Sequence, residues 1–201
     1  VWSIIQAAGW PIWPLIFASV VALALIFERM WSLRQSAVAP PGMVERVLAE
    51  YRQGAVTPDQ LTRLAERAPL GRILAAGLAN VRSSRVVMRE SIEEAGRLVA
   101  HDLERFLTTL GTIAAMAPLL GLFGTVIGMI EIFGASTAAG TNPIQLAHGI
   151  SVALYNTAFG LIVAIPSMIF YRHLRSTVDS LVLEMEQQAI RLVDFAHGER
   201  A

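Results

Sequence analysis

Thr125, Thr157 and Glu131 are the groups with which this chain could move something small and polar. They sit in 66 residues between Arg105 and Arg172 in which Glu131 is the one formal charge. Thr125 lies nine residues before Gly134, and Thr157 nine residues after His148. If both stretches are helices, each hydroxyl is ~13 Å from its end, so the two share a level. Small residues surround them at helical spacing: Ala114, Pro118, Gly121, Thr125 and Gly128 on one stripe, Ala153, Thr157, Gly160 and Ala164 on the other. Two readings stand here. The small residues allow close helix approach and the hydroxyls act as packing groups, or the two hydroxyls line a narrow polar path.

A proton path through hydrocarbon needs a titrating group, and intramembrane carboxylates are functional by default. Glu131 is six residues beyond Thr125, ~9 Å further along a helix. It falls ~120° off the threonine stripe, over Gly124. This suits a possible acid at the outer, periplasmic side, either an entry group or a solvated residue at a helix end. A carboxylate level with the threonines would have to come from another chain. Asn156 and Ser167 share a face and read as helix glue. The four histidines are scattered without metal-ligand spacing, and the chain has no cysteine. No phosphate-cradling loop and no Ser-His-Asp set is visible. The expectation is therefore no enzyme activity, no cofactor and no metal.

The elements that must position these groups are helices. A span needs about 20 apolar residues to cross ~30 Å of hydrocarbon, and three stretches qualify. The first is Ile12–Phe27, extended by Met30 and Trp31, with Trp10, Trp13 and Trp31 as interfacial aromatics. No basic stretch precedes it and no A-x-A site follows it, which argues against a cleaved signal peptide. The other two are 106–134 and 149–171, where Pro118 and Pro166 predict kinks. All sixteen basic residues are arginines: twelve between Arg29 and Arg105, four from Arg172 onward. The positive-inside rule then places the amino terminus and the 135–148 linker outside, and 32–105 and the 172–201 tail in the cytoplasm. Acidic residues interleave with the arginines, so no nucleic-acid partner is expected.

The predicted organisation is all-α: 1–31 an outer-surface segment and first span, 32–105 a cytoplasmic helical loop, 106–134 the second span, 135–148 a periplasmic linker, 149–171 the third span, 172–201 a cytoplasmic helical tail. Within the loop, helices are expected at 43–52, at 58–67 behind the Thr57-Pro58-Asp59-Gln60 start, and at 70–81. From Ser84 to Gly134 one helix of ~50 residues, ~75 Å, is expected. In the tail, Leu174, Val178, Leu181, Met185, Gln188, Leu192 and Phe195 form a 4,3-spaced seam. It suits antiparallel pairing with the 84–105 helix, contact with other subunits, or both.

The segments GLFGTVIGMI (Gly121–Ile130) and ALYNTAFGLIVAIP (Ala153–Pro166), with this span arrangement, resemble the ExbB/TolQ proton-channel proteins, distantly related to MotA, and most of all ExbB. The resemblance implies a bacterial inner-membrane, multi-pass protein embedded among lipids, N-terminus periplasmic and C-terminus cytoplasmic. It implies a homopentamer whose second and third spans line a pore. Inside would sit an ExbD/TolR-like single-span subunit with a membrane aspartate, coupled to a TonB/TolA-like protein and driven by protons. Thr125 and Thr157 match the family's pore threonines, and Pro118 and Pro166 its prolines, with Gly121, Gly128 and Gly160 as packing positions. Many members carry a glutamate five residues before the third-span threonine, where this chain has Val152. A TolQ-like Tol-Pal motor subunit and a passive membrane scaffold are the alternatives.

Overall fold

The computed structural model describes residues 9–53, 57–139 and 143–198. Residues 1–8, part of the expected outer-surface segment, lie outside that range. Every regular element among the described residues is a helix: α1 (Ile12–Ser32), α2 (Gln35–Val38), α3 (Met43–Arg52), α4 (Pro58–Arg67), α5 (Pro69–Ala79), α6 (Arg85–Glu104), α7 (Leu107–Ala139) and α8 (Pro143–Ala196). Helices α1, α7 and α8 are long and apolar enough to cross a membrane. The protein is an all-α, three-span membrane protein. Two compact units divide it: an apolar unit from 1–28 and 106–173, and a charged unit from 29–105 and 174–201.

In the apolar unit, Leu15 of α1 is buried with Ala117 of α7 and Val163 and Ala164 of α8, flanked by Ile113, Leu120 and Phe159. Large apolar side chains such as Phe17, Val126, Ile130, Ile162 and Ile169 stay exposed, as expected where lipid or another chain is the neighbour. Both prolines lie inside helices, where each leaves the carbonyl four residues back without its usual donor.

In the charged unit, the α4 start forms as the sequence predicts, with Pro58 at the first position and Gln60 Oε1 accepting from Thr57 N–H at 3.0 Å. Gly71 lets α5 approach α4 closely, since a Cβ there would strike the Leu64 carbonyl. The tail of α8 runs antiparallel to α6, tied by Arg85–Asp194 at 3.0 Å near one end and Arg175–Glu104 at 3.2 Å near the other. Its seam is used within the chain: Leu174, Val178, Leu181, Met185 and Leu192 are buried. Gln188 donates to Glu184, and Phe195 packs edge-on to Tyr51 beneath the Arg52 guanidinium. The short α2 had no sequence signal; Gln35 on it donates to the Glu184 carboxylate at 2.9 Å.

Two sequence expectations are corrected. The helix from Ser84 is not continuous to Gly134: it stops at Glu104, Arg105 is extended, and Phe106 takes φ +66. A continuous helix would satisfy the Leu103 carbonyl with the N–H four residues on. Here Arg29, only 6% exposed, donates Nη1 to that carbonyl at 3.2 Å, a cation at a helix C-terminus. The second correction concerns the linker. Gly134 and Gly149 do not end helices; α7 continues to Ala139 and α8 starts at Pro143. Isolated glycines are tolerated inside helices, and Pro143 takes the first helical position, where its missing N–H costs nothing.

Candidate functional site: the seam between α7 and α8

Helices α7 and α8 meet antiparallel through residues with little or no side chain. A Cβ on Gly121 would lie 2.7 Å from the Asn156 carbonyl oxygen and 3.0 Å from Thr157 Cα. One on Gly160 would lie 2.6 Å from the Ala117 oxygen. Gly124 sits against the Asn156 side chain and Gly128 against Ala153. The contacts at Gly121 and Gly160 are backbone-limited, of the kind that lets membrane helices associate by close approach. The sequence reading named Gly121, Gly128 and Gly160. It did not name Gly124, which lies off the threonine stripe and whose role depends on which neighbour faces it.

This pairing sets the level of the threonines. With Gly124 opposite Asn156 and Gly128 opposite Ala153, position 125 stands about two residues from Thr157, or ~3 Å along the helix axis. The hydroxyls differ in state. Thr125 donates to the Leu122 carbonyl of its own helix at 2.7 Å and borders an open hollow with Val126, Met129, Ile130 and Phe133. Thr157 is half-buried at the glycine seam, and its hydroxyl has no hydrogen-bond partner among the described residues. The two threonines share a level, but no cavity among those found in the apolar unit is lined by both.

Glu131 points elsewhere, as its helical angle predicts. It lines a cleft of about 310 Å³ together with Gly124, Trp10 near the start of α1, and His148, Val152 and Asn156 of α8. Val152 and Glu131 thus border the same cleft from different helices. Asn156 is 2% exposed, a buried amide among apolar residues. Ser167, also buried, donates to the Val163 carbonyl at 2.7 Å, the backbone bonding expected of helix glue. No group of three or more metal-ligating side chains occurs among the described residues.

A glycine-packed pair of long apolar helices, with two threonine hydroxyls near one level, defines a class: membrane helices built for close packing. The chain belongs to the MotA/TolQ/ExbB proton channel family, whose profile matches residues 65–187. It is 35% identical over 170 residues to the putative biopolymer transport protein ExbB-like 3 of Synechocystis, covering 81% of this chain and 79% of that one. To biopolymer transport protein exbB1 of Vibrio cholerae it is 30% identical over 188 residues, 90% of this chain and 82% of that one. To the Tol-Pal system protein TolQ of Pseudomonas aeruginosa it is 29% identical over 186 residues, 84% and 78% respectively. It is a proton-channel motor subunit of the TonB/Tol-Pal type.

Proposed function

We propose that this chain is the pore-forming, ExbB-like subunit of an inner-membrane motor driven by the proton-motive force. With an ExbD-like single-span subunit it energises a TonB-like protein for outer-membrane transport. The carrying observation is the α7–α8 seam: two threonines at one level, packed through glycine, on helices that hold no carboxylate at that level. The membrane aspartate of the partner supplies the titrating group. The hydroxyls, or water ordered by them, hold the proton's hydrogen-bond path to that aspartate. Thr157, whose hydroxyl has no partner among the described residues, can serve this path directly; Thr125 can rotate away from Leu122 or accept while it donates.

In this reading five copies surround the partner, with α7 and α8 lining the pore, the amino terminus in the periplasm and the tail in the cytoplasm. The arginine distribution supports that orientation. The assignment to ExbB over TolQ is supported by the relatives matched over most of both chains at 30% identity or more, which carry the ExbB name. The decisive experiment is proton flux in vesicles containing the complex with its cognate partner. Replacing Thr125 and Thr157 together by valine, which keeps shape and removes both hydroxyls, is expected to abolish flux and energised transport. Unchanged flux in that double variant sinks the threonine mechanism. A passive scaffold predicts that collapsing the membrane potential alters nothing.

A further inference from the structure

The apolar unit holds a second polar feature that the seam does not use. The Glu131 cleft carries a carboxylate from α7, an imidazole from α8, and at depth the amide of Asn156. Glu131 and His148 are exposed, whereas Asn156 is almost fully buried. Its side chain fills the notch left by Gly124, where a Cβ would come within 2.7 Å of it. Asn156 directly precedes Thr157, whose Cα abuts Gly121. Polar groups therefore run from the cleft to the level of the threonines. At ~30 Å³ per molecule, about 310 Å³ has room for roughly ten waters. A buried amide in hydrocarbon is expensive unless its polar atoms find partners.

We propose that the Glu131–His148–Asn156 cleft is a proton-uptake vestibule, a water-filled site within one chain that takes protons from the aqueous side nearest the α7–α8 connection and passes them toward Thr157. The proposal rests on the motor reading above. Hydronium transfers a proton to the Glu131 carboxylate, leaving the neutral acid and one water. The acid returns that proton to a water deeper in the cleft, and the carboxylate is regenerated. His148 adds a second group that can carry a proton, with two ring nitrogens facing water in the cleft. Asn156 donates and accepts at once, so it orients water without ionising. The titratable groups lining the cleft are Glu131 from α7 and His148 from α8; from the α1 side come Gly9, Trp10 and Pro11, none of which titrates. Two such ligands do not make a metal site.

The chain has no cysteine, so single cysteines report water access directly. Val152→Cys and Asn156→Cys are expected to react with a membrane-impermeant thiol reagent added from the periplasmic side. Ile162→Cys, on an exposed apolar position, is expected not to. In the partner-containing complex, Glu131→Gln with His148→Gln is expected to lower proton flux about a hundredfold, the lower end of the effect of a positioned acid–base group. Normal flux in that variant, or no labelling at either cleft cysteine, overturns the vestibule while leaving the motor standing. Absence of proton flux in the unmodified complex overturns the motor reading and the vestibule with it.

Discussion

The α7–α8 seam of the apolar unit and the cluster of α5, α6 and the α8 tail in the charged unit solve helix packing in opposite ways. In the apolar unit, α7 and α8 touch backbone to backbone at Gly121 and Gly160, and the large side chains stay outside. In the charged unit the contact is made by Leu70, Ile73, Leu74, Met88, Leu103, Met185 and Leu192, all buried, with ion pairs near both ends of the α6–α8 pairing. The difference follows from the surroundings. Lipid tails are as apolar as leucine, so burying leucine between spans gains little and close van der Waals approach has to hold them. In water, burial of a leucine-sized side chain contributes about 1.5–3 kcal/mol. Close approach without bulk leaves hydroxyls and an amide as the polar groups at the seam.

The sharpest way to break this contrast is to add one methyl group to a glycine in each unit. Gly121→Ala or Gly160→Ala forces a Cβ to within 2.6–2.7 Å of a backbone oxygen, so the helices must part. The expected cost is about 3 kcal/mol, at the upper end of overpacking penalties, with loss of flux. The same change at Gly96 in α6 meets nothing within 4 Å and is expected to stabilise by up to about 1 kcal/mol through helix propensity. Thermal melting of the purified complex measures both; equal signs would show that the units do not differ in this way.

Next in size is Arg29→Leu, which leaves the Leu103 carbonyl without its donor. An orphaned buried acceptor costs about 1–3 kcal/mol. Hydrogen exchange faster than wild type at the end of α6, with exchange in α7 unchanged near Gly121, is the expected result. Uniform acceleration would mean that Arg29 does not act locally.

The smallest effect concerns Asp102. Its carboxyl is held below the usual 3.8, chiefly by the hydrogen bond from Arg72 at 2.6 Å; desolvation opposes this, and the charges of Arg72, His101 and Arg105 add to it. A depressed carboxyl stabilises the fold above its unfolded value and loses that contribution as pH falls through the lower folded value. The pair is about half exposed, so the loss is small. Melting of the charged unit is expected to become slightly more acid-sensitive below pH 3.8, and Asp102→Asn to remove that increment. An unchanged acid slope in the variant would discard the pair as a contributor.

The sequence by itself determined the class and much of the local structure. Blocks of apolar residues set three spans, because length and lack of charge suffice for that. The capping box placed α4 to the residue, and the 4,3 spacing in the tail identified the face that is buried. These features are written within a few residues of one another, so they are legible locally. Helical angle alone separated Glu131 from the threonine stripe. What only the tertiary structure decided depends on neighbours far away in the chain. The break at Arg105–Phe106 is accompanied by Arg29, 74 positions from Leu103. Gly124 matters because Asn156 faces it. Val152 and Glu131 share a cleft because antiparallel packing brings two helix faces together. Periodicity names the face of a single helix; it cannot name the residue that will stand opposite.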